Sequence, residues 1–441
     1  MGSWLNRSNV KAIIKLSPLL ILYVAIILAT QTDEFRGDEG GYISFATNLT
    51  HGYYSPRGDV DLWWGPGYPI ILAAFVFFKT PLLIPKLLNA AFLFFAVIYF
   101  YQTLRLYADG KYLLLFTYLF GLYPPFLRLL GYIWTETLAV LLISGLLYHF
   151  CKVGRERTHA KMHQVLAGLY LGYLALTKVF FGYVILASLI ISLLVLVFKR
   201  GYLIKKAALV CCTALVVCLP YLCYTYSLTN KIFYWSNAGG LQLYWMSSPY
   251  SEELGDWQFR DPAKGRGKAV ENHLAFFEKV SKLPATERDD AFRQAAIQNI
   301  AHHPSKYFTN WLANVGRLFF DYPYSYAPQT LRTYFYMIPN MFIFVLSLLT
   351  LYPAWQRRYL TPGELHLLLF FSIVATAGGS LLSAYARLFW ILTPIIDVFI
   401  ISVITNSRIA IDVPAAGGQK FGPVSSVGLR VEGEGGSAKS A

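Results

Sequence analysis

Residues 12–42, AIIKLSPLLILYVAIILATQTDEFRGDEGGY, pass from an apolar run straight into a short segment carrying Asp33, Glu34, Asp38 and Glu39. Crossing a bilayer takes about 20 apolar residues at a helical rise of about 1.5 Å each, and the run at 12–31 meets that length. Asp59 and Asp61 follow in the same non-spanning stretch, 32–69, among tyrosines and tryptophans. A charge beside hydrocarbon is costly unless water, a partner or a substrate compensates it. The stretch therefore reads either as a solvated loop or as a carboxylate site held at a membrane surface.

The remainder of the chain sets the class. Over 441 residues, 56% are hydrophobic and 14% charged, well below the charged share of a soluble domain. Apolar runs recur at 12–31, 84–104, 112–127, 134–150, 164–178, 180–198, 206–226, 333–353, 364–383 and 388–405. These predict an all-α polytopic membrane protein of about ten transmembrane helices. The net charge of +14 does not imply nucleic acid, because the basic residues concentrate in short connections. Arg7, Lys11 and Lys15 precede the first run, and Lys152, Arg155, Arg157 and Lys161 follow the fourth. Lys199, Arg200, Lys205 and Lys206 follow the sixth, and Arg357 and Arg358 the eighth. All fall on one side, which the positive-inside rule makes cytoplasmic. Both termini are then cytoplasmic, and 32–69 and 227–332 are extracytoplasmic.

The run Tyr68 to Phe78 is too short to span and predicts an interfacial juxtamembrane helix. Region 227–332 is too long for a connector. It intersperses aromatic and basic residues, among them Trp257, Arg260, Lys306, Tyr307, Trp311, Arg317, Tyr322 and Tyr324. They suit either an interfacial aromatic belt or the binding of a sugar or phosphate. After Thr405 the Gly/Ser-rich tail, 406–441, reads as disordered and cytoplasmic. Cys151, Cys211, Cys212, Cys218 and Cys223 lie in or at the end of apolar runs without Cys-x-x-Cys or His/Cys metal spacing, and read as small core residues. Gly168 and Gly172 form Gly-x-x-x-Gly, a helix-packing device. The chain carries no phosphate-loop, dinucleotide, zinc-protease or nucleophile-elbow motif, which argues against a nucleotide-driven pump or a zinc protease.

A first span followed by Asp38-Glu39-Gly40-Gly41-Tyr42 and then Gly67-Tyr68-Pro69 resembles the GT-C class of membrane glycosyltransferases. More narrowly, it is similar to the bacterial branch related to protein O-mannosyltransferases and the lipid A aminoarabinose transferase (glycosyltransferase family 39-like). Pro124-Pro125, Thr135-Glu136-Thr137, LAGLYLGYLALTK at 166–178, HPSKYF at 303–308 and Tyr385-Ala386-Arg387 with Pro394 follow in the order that family has. The likeness covers roughly residues 12–405, with 32–83 as its catalytic loop. It implies a sugar donor on a polyprenyl phosphate, an extracytoplasmic active site in a bacterial inner membrane, and an acceptor that is a lipid, polysaccharide or protein. The aminoarabinose branch carries a Lys-Pro-Pro near the donor phosphate. Here the stretch reads Trp64-Gly65-Pro66-Gly67-Tyr68-Pro69, so the phosphate ligand has to come from elsewhere.

Negative charge grows on a leaving phosphate and needs aimed cations. Lys178, Arg387 and Arg57 lie on the extracytoplasmic side against the positive-inside trend, and are the candidates, although helix-end snorkelling also accounts for such residues. In this reading Asp38 is the general base of an inverting transfer and Glu39 orients the acceptor or the loop. Tyr42, Arg57, Asp59, Asp61, Tyr68, Glu136, Lys178 and Arg387 are the substrate-binding candidates. No cofactor is expected, although Asp59-Val60-Asp61 is formally an Asp-x-Asp able to hold a divalent metal. Two other readings stay open. One is a transporter or flippase of a lipid-linked or small polar substrate, against which stands the lack of inverted halves. The other is a noncatalytic subunit of an envelope glycan assembly complex.

Overall fold

The computed structural model describes residues 7–108, 112–156, 158–199, 201–356 and 361–406, and all the regular structure among them is helical. In chain order the first helices are α1 (Arg7–Thr30), α2 (Glu39–Thr50), α3 (Gly67–Phe77), α4 (Leu83–Leu104), α5 (Tyr112–Gly121) and α6 (Pro124–Leu129). Then come α7 (Glu136–Arg155), α8 (Ala160–Thr177), α9 (Phe180–Phe198) and α10 (Tyr202–Thr229). A layer of shorter helices follows: α11 (Gly239–Met246), α12 (Lys268–Ser281), α13 (Ala285–His302) and α14 (Pro304–Phe320). The chain returns to the bundle with α15 (Leu331–Gln356), α16 (Gly363–Ser380) and α17 (Arg387–Asn406).

Each of the ten apolar runs has a helix, and eight of these, α1, α4, α7, α9, α10, α15, α16 and α17, are long and apolar enough to cross a bilayer. The protein is an integral membrane protein of the all-α polytopic class. The run 112–127 departs from expectation as a single span. Tyr123 takes an extended backbone (φ −56°, ψ 118°) ahead of Pro124, because proline disfavours the helical region for the residue before it. The run therefore splits into α5 and α6. Helix α8 has the length to span, but Lys161, His163 and Gln164 in its first turns lower its apolarity. The short segment after Trp64 forms α3, as expected, with Tyr68 and Leu72 buried. The tail expected to be disordered, 406–441, lies outside the described residues apart from Asn406.

Helices α7 and α17 are the most enclosed, with 78% of each span buried, while α9 and α15 leave most of their surface outward. Close approach is set by glycine. A Cβ on Gly168 would stand 2.4 Å from Thr213 Cβ, and one on Gly172 would stand 2.6 Å from Val217 Cβ. The Gly-x-x-x-Gly of α8 thus lies flat on α10, the packing role its spacing predicts.

Residues from α11 to α13 form a second apolar core of their own, built on Tyr244, Trp245, Phe259, Phe277 and Phe292. A buried polar knot holds it. The Glu253 carboxylate accepts from His273 Nε2 (2.9 Å), Asn272 (3.0 Å), Tyr326 (3.1 Å) and Ser248, and His273 Nδ1 meets Tyr244 Oη at 2.7 Å. Burial alone would raise the Glu253 pKa. The hydrogen bonds from His273, Ser248 and Asn272 outweigh it and hold the carboxyl below its ordinary value. Arg317 is fully buried and ties α14 to the following turn by donating to the Pro323 carbonyl (2.9 Å), and to the segment between α11 and α12 by donating to the Leu254 carbonyl (3.0 Å).

Two outcomes follow. Gly172→Leu overpacks α8 against α10 and is expected to cost about 1–3 kcal/mol, seen as a lowered melting temperature of the detergent-solubilised protein. Because the folded-state pKa of Glu253 is depressed, its contribution to stability is present at neutral pH and lost as pH falls through the ordinary carboxylate value, about 4.3, towards the folded value. Melting against pH should show that acid loss in the wild type, and Glu253→Gln should be weaker at pH 7 with a flatter acid limb.

Candidate functional site

The site begins at the turn into α2. Gly37 takes φ +57°, a conformation that strains other residues, and its Cα packs where a Cβ would stand 3.1 Å from the Trp134 ring. Asp38 then caps α2. Glu39, with no exposed surface, accepts the backbone N–H of Arg36 (2.7 Å) and of Ile133 (2.8 Å). Both its oxygens are occupied by backbone, so Glu39 fixes the loop that aims Asp38 and does not itself line the cavity. One turn on, Tyr42 is buried with its hydroxyl 3.4 Å from Thr135 Oγ1. Burial first, then the nearby Asp38 and Glu136 carboxylates, push its phenol well above the ordinary range, which keeps it a neutral hydrogen-bonding group.

Three remote segments meet this turn. Glu136 opens α7, Lys178 caps the C-terminus of α8, and Arg387 opens α17. Lys178 Nζ lies 2.7 Å from Glu136 Oε1, and Arg387 Nη1 lies 3.3 Å from the same oxygen and 3.0 Å from Asp38 Oδ2. The Arg387 guanidinium also stacks between two rings, 4.8 Å from the Trp134 centroid and 5.2 Å from that of Tyr385. Side chains of Asp38, Lys178 and Arg387 are each about a quarter exposed, at 28%, 26% and 24%, while that of Glu136 is at 0%. The first three can therefore touch a substrate, and Glu136 holds the two cations from behind.

This cluster forms one end of a cavity of about 600 Å³. Part of its wall is apolar and comes from the start of α9 and the turn from α16 into α17: Val179, Phe180, Phe181, Leu388 and Ile391. Another part is aromatic and polar, from Trp63 and Trp64 of the first loop and from Trp257, Gln258 and Arg260 of the second core. The volume lies in the range of small-ligand sites.

Of the ten residues singled out from sequence, Asp38, Tyr42, Lys178 and Arg387 line the cavity, and Glu136 stands directly behind them. The others go elsewhere. Arg57 is exposed over the Tyr53 ring at 5.0 Å. Asp59 accepts the N–H of Ala285 (3.0 Å) and faces Arg288 (3.5 Å), whereas Asp61 pairs with Arg260 (2.8 Å). The Asp-x-Asp carboxylates are thus drawn to separate arginines on the second core, and each pins the first loop to it. Tyr68 is wholly buried edge-on to Tyr42, its hydroxyl without a partner among the described residues. Trp134 was not foreseen, although it directly precedes Thr135-Glu136. Tyr385 was noted only as part of a motif, and its place beside Arg387 was the available signal.

No family model matches the chain, and no curated protein matches it. Solved structures do resemble it. It is similar to the archaeal oligosaccharyltransferase AglB from Archaeoglobus fulgidus, in complex with an inhibitory peptide and a dolichol-phosphate, at 15% identity and TM-score 0.47, over 88% of this chain and 50% of that one. It is also similar to ArnT from Cupriavidus metallidurans bound to undecaprenyl phosphate, at 10% identity and TM-score 0.41, over 90% and 77%. The S. cerevisiae protein O-mannosyltransferase Pmt1-Pmt2 complex bound to the sugar donor matches at 18% identity and TM-score 0.38, over 49% and 33%. The chain spans about a third of the Pmt1-Pmt2 chain and half of the AglB chain.

Proposed function

We propose that the protein transfers a monosaccharide from a polyprenyl-phosphate donor to an acceptor hydroxyl, with inversion. The observation that carries this reading is a carboxylate, Asp38, facing a cavity beside two cations, Lys178 and Arg387, that share the buried Glu136. In the reaction the acceptor oxygen attacks the anomeric carbon, and its proton passes to the Asp38 carboxylate. The bond from the anomeric carbon to the phosphate oxygen breaks from the opposite face. The released polyprenyl phosphate gains negative charge, which Lys178 and Arg387 neutralise. Arg387 is held on both sides by rings and on two oxygens by carboxylates, so it costs little reorganisation during the reaction. Lys178, on a flexible stem with one partner, follows the leaving phosphate.

The apolar wall adjoining Lys178 suits the first isoprene units of the donor, and the tryptophan wall suits the acceptor. On this reading the site faces the extracytoplasmic side of a bacterial inner membrane, and no cofactor is required, because the protein's own cations meet the phosphate. Asp59 and Asp61 act by holding the loop against the second core.

Asp38→Asn is expected to lower transfer from a radiolabelled polyprenyl-phosphate monosaccharide panel by roughly 10²–10⁴-fold while leaving donor binding in place. Transfer equal to wild type with every active donor would remove Asp38 as the base. Lys178→Ala is expected to lower turnover by about 10²–10³-fold. Glu136→Ala strands two buried-side cations and is expected to cost roughly 3–5 kcal/mol of stability, read as a drop in melting temperature of the purified protein.

A further inference from the structure

Four rings run outward along the cavity from the ion cluster. Tyr42, beside Asp38, lies 4.6 Å from Trp64; Trp64 lies 6.4 Å from Trp63; Trp63 lies 5.4 Å from Trp257. All four line the cavity. The line joins the bundle to the second core, since Tyr42 and Trp64 belong to the stretch after α1 and Trp257 to the segment preceding α12. Packing holds each ring in place. A Cβ on Gly41 would stand 2.5 Å from Trp64 Nε1, and Arg260 stacks at 4.6 Å over Trp63 while its guanidinium pairs with Asp61. Each of the three tryptophans is half-buried, so part of each ring stays open to the cavity.

Rings of this kind offer an apolar face and a donor at the edge. Beside them stand side chains with planar polar groups: Gln258, which donates to Asp256 at 2.9 Å, Arg260, and Gln242. A pyranose matches both features, with C–H groups on its faces and hydroxyls around its rim. An extended peptide would instead look for a strand edge, and no strand exists among the described residues. A lipid acceptor would look for a second apolar wall, whereas on the Trp257 side the lining sets Phe259 among Gln258, Arg260, Asp261 and Lys264.

Resting on the transferase reading above, we propose that the acceptor is a carbohydrate chain. Its terminal sugar presents a hydroxyl to Asp38, and at least one further sugar ring stacks on the Trp63–Trp257 pair. The site thus discriminates acceptors by ring stacking remote from the reacting atoms, and a monosaccharide acceptor falls short of the outer pair.

The test uses the full chain in nanodiscs, applied without donor to a glycan array spanning microbial and eukaryotic structures, with binding of polyprenyl phosphate measured separately. Wild type is expected to retain a group of glycans of two or more sugars. Trp257→Ala should weaken those signals by roughly two- to tenfold, and Trp257→Phe should restore part of the loss. Melting temperatures of the variants establish that they are folded. No glycan retained above the Trp63→Ala/Trp257→Ala double variant overturns the proposal, as does retention that Trp257→Ala leaves unchanged. Tryptophan-dependent capture of peptides or aminolipid vesicles in place of glycans overturns it too. Polyprenyl-phosphate binding that persists while glycans fail leaves the transferase reading standing. Glycan binding without polyprenyl-phosphate binding sinks the transferase reading and leaves a glycan-binding membrane protein.

Discussion

One carboxylate with no exposed surface ties three helix ends together at one end of the bundle. Glu136 sits at the start of α7 and takes Lys178 from the α8–α9 junction and Arg387 from the start of α17 on a single oxygen. Arg387 passes the connection on to Asp38 in the first loop. Burying a carboxylate is costly unless its partners are well placed, and here two cations compensate it. Remove it, and Lys178 and Arg387 repel each other across the same space. The position of every group facing the cavity from the membrane side therefore depends on this one ion cluster. The second oxygen of Glu136 has no partner among the described residues, and neither has the Tyr68 hydroxyl.

The spans were legible because hydrocarbon imposes a length and an apolarity that leave few alternatives. The exception, 112–127, was also written in the chain, in the two prolines at 124 and 125 that force Tyr123 out of helical geometry. Asp38 stood out by its place directly after a span. Its meeting with Arg387 did not, because 349 positions separate them and only tertiary packing brings them together. Lys178 and Arg387 were singled out for lying on the wrong side for the positive-inside rule, a topological signal that holds even when contacts are unknown. Arg57, Asp59 and Asp61 carried the same kind of signal and went elsewhere. Their partners, Arg288 and Arg260, lie in a region where periodicity predicts helices but not which face meets the first loop.

The same limit explains the aromatic residues of 227–332. Composition could not separate those that fill the second core from those that face the cavity. Of the eight named, Trp257 and Arg260 line it, whereas Arg317 is buried as a tie between α14 and its following turn. What decides is the Glu253–His273–Tyr244 knot, which fixes α12 against α11 and so sets where the segment 254–265 emerges. A polar network far from the ion cluster thereby places one wall of the cavity.

The two walls then follow from different physics. The membrane-side wall is positioned by charge, through Glu136, and is lined where α9 and α17 begin by residues that belong in hydrocarbon. The outer wall is positioned by a buried hydrogen-bonded network and by the salt bridges of Asp59 and Asp61, and carries half-buried tryptophans. On the proposed reading, a lipid-borne sugar and a water-borne acceptor have to be held at one carboxylate without either wall serving the other's ligand. The separation of apolar lining from aromatic and polar lining on either side of Asp38 meets that requirement, and it does so with helix ends and loops whose placement rests on two independent buried networks.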